Sequence, residues 1–154
     1  MKIFDLKNQY KEFGHLIDKD ILKILSSGNY ILGENVKRFE ELSRSFLNSK
    51  YTVSCNSGTD ALVLSLRALG IGSGDTVITT PFTYFATAEA ISLVGANPIF
   101  ADINPHTFNI NPKRIVKLIS KKTKAVLFVN LFGQAAELGE INKICKWCSY
   151  YSIA

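Results

Sequence analysis

The sequence has few of the residues that mark specialised classes of protein. It contains three cysteines and two histidines in 154 residues, too few for a disulfide-rich scaffold or a His-rich metal site. No apolar run approaches the roughly 20 residues that a membrane-spanning helix needs, and the start, MKIFDLKNQYKE, has no apolar signal-peptide core. The expectations are a cytosolic location, no membrane partner and no metal.

Long clusters of one charge are also missing. The net charge of +5 comes from scattered lysines, and the densest group, at Lys121, Lys122 and Lys124, falls at the end of a predicted helix, where cations complement the helix dipole. A nucleic-acid surface would need a longer basic stripe with interleaved aromatic residues. The pattern favours solvated faces and no nucleic-acid partner.

One cysteine pair has the C-x-x-C spacing of redox and zinc sites, namely Cys145 and Cys148. The pair lies late in a predicted helix, without a second Cys or His pair beside it, and it does not open a helix after a strand. The spacing therefore predicts one packed thiol and one partly exposed thiol on a helical turn.

Hydrophobic periodicity changes near residue 50. Residues 1–50 form a predicted helical segment with helices at 10–25 and 34–47, whereas residues 51–154 alternate short β-rich runs with helices. Strands are predicted at 51–55, 76–80, 97–103, 124–132 and 150–154, and helices at 59–69, 83–94, 113–119 and 137–147. This alternation predicts an α/β fold whose mostly parallel sheet has flanking helices. The run 124–132 is predicted to be buried on both faces, and the last strand is expected to be an edge that needs a partner.

The segment SCNSGTDAL, residues 54–62, joins a predicted strand to a predicted helix. Gly58 lets a ligand approach the backbone, and the first N–H groups of a helix attract anions. Ser57 and Thr59 add hydroxyl donors, so the corner could bind a phosphate or a carboxylate. The same residues, Ser57 to Asp60, also fit a capping box that needs no ligand. From the residues alone, both interpretations stay open.

Three segments resemble a known family. YILGENVKRFE (30–40), the long stretch from NSGTDAL to HTFNI (56–110) and KTKAVLFVNLFGQ (122–134) are similar to the N-terminal part of the DegT/DnrJ/EryC1/StrS sugar aminotransferases. That resemblance implies the fold type I scaffold, of which this chain would form an incomplete large domain. It also implies the cofactor pyridoxal 5′-phosphate (PLP) and a role in deoxyaminosugar or polysaccharide biosynthesis.

The resemblance assigns roles to individual residues. It implies that Gly58 and Thr59, with Ser57 beside them, bind the phosphate of PLP, and that Tyr84 stacks on the pyridine ring. A core aromatic is the alternative for Tyr84. The loop at 30–33 resembles one near the sugar-nucleotide pocket, and Asn130 replaces a histidine of many relatives, so its segment would bind differently or only pack.

Two further residues of the family's chemistry are expected outside this sequence. The aspartate that pairs with the pyridinium nitrogen and the Schiff-base lysine would follow Ala154, so residues 51–154 form a partial PLP-binding domain with no catalytic residue of its own. The resemblance thus implies an N-terminal fragment, inactive by itself, of an enzyme that moves an amino group from glutamate to a nucleotide-linked keto sugar and is a homodimer when complete. The alternative is a non-catalytic module that pairs with full-length relatives.

Overall fold

The computed structural model describes residues 4–154 and divides the chain into two compact units, Met1–Ser54 and Cys55–Ala154. The first unit consists of two helices, α1 (Leu6–Ser27) and α2 (Glu34–Phe46). Asp5 caps α1 because its side chain accepts a hydrogen bond from the Asn8 N–H, and Gly28 ends it in the left-handed conformation, with φ of 69°. Both predicted helices are confirmed, and α1 extends further at each end.

Hydrophobic side chains of the first unit remain largely exposed. Among residues 4–54, only Gly14 is buried. The ring of Tyr10 covers Gly14, and the Tyr10 hydroxyl donates to the carboxylate of Asp18, with oxygen distances of 2.7 and 2.8 Å. The periodicity therefore predicted the helices, while their apolar faces have no cover within the described chain.

The second unit is an α/β domain with a four-stranded parallel sheet in the order β2-β1-β3-β4. Its elements are α3 (Gly58–Ala68), β1 (Thr76–Thr79), α4 (Ala86–Leu93), β2 (Asn97–Phe100), α5 (Pro112–Leu118), β3 (Thr123–Leu127), α6 (Leu138–Cys148) and β4 (Tyr151–Ile153). A short 3₁₀ helix, Leu131–Gly133, follows β3. The predicted fold class, a mostly parallel sheet with flanking helices, is confirmed.

Each face of this sheet carries its own hydrophobic core. Val77 of β1 and Leu127 of β3 pack with α3 and α4 on one face, and Ile78 and Val126 pack with α5 and α6 on the other. Because side chains alternate along a strand, β1 and β3 contribute to both cores. The prediction that the run containing β3 is buried on both faces is confirmed for Ala125 to Phe128.

Among the described strands, β2 and β4 form the two edges of the sheet, and the outward-pointing backbone of β2 includes a proline. The N–H groups of Asn97 and Ala101 donate towards β1, to Asp75 and Thr79 carbonyl oxygens at 3.0 and 2.7 Å. The backbone groups of the alternate residues, Pro98 and Phe100, therefore point away from β1, and Pro98 has no N–H. At the other edge, β3 is the one strand within residues 4–154 that pairs with β4, as expected of an edge strand.

One predicted strand is absent and two are shorter than predicted, and the helix predicted at 83–94 begins only at Ala86. Residues 51–55 form no strand, because no described strand runs beside them and a strand requires a hydrogen-bonded neighbour. The strand predicted at 124–132 ends at Leu127, and the Phe128 N–H makes the last hydrogen bond to β4, to the Ile153 carbonyl oxygen at 2.9 Å, before the chain enters the 3₁₀ helix. The strand predicted at 97–103 ends at Phe100, and beyond it Ile103 forms only an isolated antiparallel bridge with Ile110.

The cysteine pair lies on α6 as predicted, with Cys145 buried and Cys148 partly exposed. Burial raises the pKa of the Cys145 thiol, and the neighbouring Cys148 raises this pKa further. Within residues 4–154, none of the helices combines the length and the hydropathy needed to cross a bilayer.

Candidate functional site

The corner before α3 is a helix cap. Ser57 has extended backbone angles, and its hydroxyl oxygen accepts a hydrogen bond from the Asp60 N–H at 3.1 Å. The same hydroxyl donates to Asp60 Oδ2 at 2.9 Å. The capping role predicted for these residues is thus confirmed, although the carboxylate binds the Ser57 hydroxyl instead of its backbone N–H.

The charge of Asp60 is directed back onto the chain. Asn56 Nδ2 also donates to Asp60 Oδ2, at 3.2 Å, so two local donors hold this carboxylate. An unpaired Asp60 carboxylate would repel an incoming phosphate, and these two hydrogen bonds reduce that repulsion because they hold the carboxylate against the chain.

Two backbone N–H groups are left for a ligand. Within residues 4–154, the N–H groups of Gly58 and Thr59 have no acceptor, and a Cβ built on Gly58 would meet nothing within 4 Å. Such unpaired donors at the start of an 11-residue helix carry the positive end of its dipole. The donor set and the open space above Gly58 fit a phosphate group.

The packing of α3 against α4 places this corner at the carboxyl end of the sheet. A Cβ built on Gly72, after α3, would lie 3.5 Å from the Val94 carbonyl oxygen, and one on Gly95, after α4, would lie 3.5 Å from the Ser73 nitrogen. The C-terminal turns of both helices are therefore adjacent. Their N-termini consequently lie together at the opposite end, where β1 finishes and ligands of open α/β sheets bind.

Tyr84 lies at this same end, in the loop between β1 and α4. It is 81% exposed, so it is not part of the core of the second unit. It lines a shallow, open depression of about 280 Å³ with Pro81, Phe82, Thr83, Leu131 and Phe132. Within the described chain no hydrogen bond joins Tyr84 to residues 57–59; the two groups share an end of the sheet.

Sequence reasoning missed Asn109, which is only 3% exposed. Its Nδ2 donates to the Gln134 carbonyl oxygen and its Oδ1 accepts from the Leu131 N–H, both at 3.0 Å. Asn109 therefore ties the loop before α5 to the loop after β3. Asn130 lies in that second loop, where it is exposed and its Oδ1 accepts from the Ala136 N–H at 2.9 Å.

The loop at 30–33 belongs to the first unit. Tyr30 and Gly33 line a cleft of about 210 Å³ together with Lys23, Asn29 and Asn35. Its relation to a sugar-nucleotide pocket stays a prediction.

The comparison with known proteins agrees with this geometry. The model of the DegT/DnrJ/EryC1/StrS aminotransferase family matches residues 12–152. The chain belongs to this family. It is 44% identical over 146 residues to the Pseudomonas aeruginosa UDP-2-acetamido-2-deoxy-3-oxo-D-glucuronate aminotransferase, a match that covers 95% of this chain and 41% of the relative.

Solved structures of the family have the same fold. Streptomyces venezuelae DesV in complex with a ketimine intermediate superposes with a TM-score of 0.93 at 34% identity, over 96% of this chain and 40% of that one. NtdA from Bacillus subtilis with bound cofactor PMP gives 0.86 at 33% identity, over 88% and 31%. The chain thus spans about two fifths of the first relatives that it matches, and its domain is a partial fold type I domain of a PLP-dependent family.

Proposed function

We propose that this chain is the N-terminal portion of a PLP-dependent aminotransferase that acts on a nucleotide-linked keto sugar, with glutamate as the amino donor. The observation that carries the proposal is the pair of N–H groups at Gly58 and Thr59, which have no acceptor within the described residues, beside the open space at Gly58. The named activity of the Pseudomonas relative, on a UDP-linked 3-oxo sugar, supports the substrate class.

In this proposal, PLP when bound supplies the electron sink and carries the amino group. The backbone N–H groups of Gly58 and Thr59 bind the phosphate, together with the Thr59 hydroxyl. Ser57, whose hydroxyl both accepts from and donates to Asp60, orders the turn beside them. The exposed face of Tyr84 stacks on the pyridine ring and fixes its plane.

The remaining chemistry is assigned to polypeptide outside these residues. We place the pyridinium-binding aspartate and the lysine that holds the cofactor beyond residues 1–154, so the chain by itself is inactive. The complete enzyme is proposed to be a homodimer, and the exposed apolar faces of α1 and α2 support an additional protein contact.

The phosphate site is tested in the full-length protein by measuring the affinities of PLP and of pyridoxal, which lacks the phosphate. Replacing Gly58 with Val and Thr59 with Ala should weaken PLP binding about 10- to 100-fold, because the valine side chain fills the space proposed for the phosphate and the hydrogen bond from the Thr59 hydroxyl to a charged group is lost. Pyridoxal affinity should change little. Ser65→Ala, an exposed substitution on the same helix, is the matched control.

Unchanged PLP affinity in the double variant would contradict the assigned phosphate site. The reaction is tested separately, by following 2-oxoglutarate formation from glutamate in the presence of a UDP-linked 3-oxo sugar. Absence of 2-oxoglutarate with the PLP-loaded full-length protein, across UDP-linked and dTDP-linked keto sugars, would contradict the proposed function.

A further inference from the structure

The carboxylate of Asp60 lies at a position of α3 where it has two kinds of hydrogen-bond partner. Ser57 is the N-cap, so Gly58, Thr59 and Asp60 are the first three residues of the helix. In a capping box, the side chain at this third position reaches back to the backbone N–H of the N-cap residue. The carboxylate then occupies the helix N-terminus, which is also where a phosphate binds.

In this chain, side chains hold the Asp60 carboxylate instead. Its Oδ2 accepts from the Ser57 hydroxyl at 2.9 Å and from Asn56 Nδ2 at 3.2 Å, and within residues 4–154 no backbone N–H donates to it. The N–H groups of Gly58 and Thr59 are left without an acceptor in the same range. Asn56 is exposed and precedes the cap, so a residue outside the helix supplies one of the two bonds.

Without the Asn56 amide, the carboxylate would keep one side-chain donor, and that donor belongs to the cap residue itself. A carboxylate with fewer partners is freer to turn towards the backbone N–H groups at the start of the helix. There it would compete with a phosphate for hydrogen bonds, and it would also repel the phosphate because like charges a few ångströms apart interact strongly. One exposed amide therefore bears on how well this corner receives an anion.

We propose that Asn56 is a positioning residue for the phosphate site, because its amide holds the Asp60 carboxylate away from the N–H groups of Gly58 and Thr59. The phosphate binds to those two groups, and Asn56 acts on it through Asp60. This inference rests on the proposed function, since it concerns the phosphate site assigned there. It predicts that residue 56 controls the contribution of the phosphate to cofactor affinity and leaves the contribution of the ring unchanged.

The test measures the affinities of PLP and of pyridoxal for the full-length protein. Asn56→Ala should weaken PLP binding about fivefold, because one hydrogen bond that restrains Asp60 is lost. Pyridoxal has no phosphate, so its affinity should stay unchanged. Losses of equal size for the two ligands, or an unchanged PLP affinity, would overturn the inference.

Asp60→Asn distinguishes positioning from a general role of Asn56 in the shape of the turn. An asparagine at residue 60 can still accept from the Ser57 hydroxyl, but it carries no charge. In an Asp60→Asn background, Asn56→Ala should therefore cost less than about a factor of two in PLP affinity. A turn that had lost its shape would not recover through a change at residue 60, so a fivefold loss that persists in this background would overturn the positioning role.

Arg67→Gln is the matched control for a change of charge on the same helix. Arg67 is exposed in the last turn of α3, seven residues after Asp60 and thus about 10 Å further along the helix axis. At about 0.1 M salt, a charge at that distance is largely screened. This variant should leave the ratio of the PLP and pyridoxal affinities as it is.

Failure of this inference differs from failure of the proposed phosphate site. If the Gly58→Val and Thr59→Ala double variant loses PLP affinity while Asn56→Ala keeps it, the phosphate site stands and only the role of Asn56 is overturned. If neither variant changes PLP affinity, the proposed phosphate site is overturned together with this inference.

Discussion

In the first unit, α1 leaves the side chain of Leu22 65% exposed, whereas in the second unit Leu66 of α3 is fully buried. Both are leucines on helices with an apolar face, yet only α3 packs on a sheet. The second unit buries large side chains on both faces of β1 and β3, whereas the first unit buries no large side chain in its described part and contains polar contacts such as Tyr10–Asp18 and Glu40–Ser54. Periodicity identifies the face of a helix that can be buried, and a covering surface decides whether it is.

The largest difference in stability is expected between the alanine variants of these two leucines. Leu66→Ala should lower the free energy of unfolding by about 2–5 kcal/mol, because it removes fully buried methyl groups and leaves a cavity. Leu22→Ala should change it by less than about 0.5 kcal/mol, because that side chain is mostly in water. Urea unfolding of both variants measures the difference. Equal losses would mean that the apolar face of α1 is covered in solution and would break the comparison.

A glycine in each unit provides the next test. Gly139 is the second residue of α6 and has nothing within 4 Å of an added Cβ, so Gly139→Ala should stabilise the protein by about 0.5 kcal/mol, the lower end of the range for a helix interior. A Cβ on Gly14 would lie 3.0 Å from the ring of Tyr10, whose hydroxyl is tied to Asp18. Gly14→Ala should therefore give no gain in thermal unfolding.

Removing the Tyr10 ring tests whether its contact with residue 14 cancels the gain expected for alanine in a helix. Gly14→Ala in a Tyr10→Ala background should recover the gain expected for alanine in a helix. If Gly14→Ala alone already stabilised the protein as much as Gly139→Ala does, the close contact with Tyr10 would not constrain α1.

The smallest effect concerns the polar contacts of the first unit. Glu40 accepts hydrogen bonds from the Ser54 N–H and hydroxyl, at 2.8 and 2.7 Å, and these bonds lower the pKa of its carboxyl. A lowered folded-state pKa means that the stabilisation is present above the ordinary glutamate pKa and is lost as pH falls through the folded-state value. Hydrogen exchange of the Ser54 amide, corrected for its intrinsic rate, should lose protection in that acidic range.

Two glutamine variants sharpen this prediction. Glu40→Gln should weaken protection of the Ser54 amide at neutral pH and flatten its pH dependence, because the amide cannot ionise. Glu41→Gln is the matched control, since Glu41 binds Arg44 and not Ser54. A pH dependence that survives in Glu40→Gln would assign the effect to another group.

Local patterns in the sequence predicted most helices, the parallel sheet and the residues of the corner, because capping and periodicity are local properties. Residues 51–55 show where this reasoning stops: their β-rich composition predicted a strand, but pairing depends on a neighbour that a local pattern does not reveal. The loop after β3 shows the same limit. Phe132 adopts a left-handed conformation beside contacts from Asn109, more than twenty residues earlier.

The candidate site was predictable to a similar extent. Ser57, Gly58 and Thr59 were selected because hydroxyls and a glycine precede an apolar helix, and the cap at Ser57 is present as expected. The roles of Gly58, Thr59 and Tyr84 towards a cofactor remain proposals. Asn109 carried no such signal, since an asparagine between two apolar residues in a loop looks like an ordinary turn residue.

Pro98 has a consequence for behaviour during synthesis and folding. A parallel sheet forms slowly, and while it forms its outer strand can recruit a strand from another molecule. The backbone of Pro98 points away from β1 and has no N–H. A strand from another molecule that approached β2 would therefore find one hydrogen-bond donor missing from this edge of the sheet. One residue therefore makes that border of the domain a poor template for aggregation, without any contribution to the chemistry at the other end of the strands.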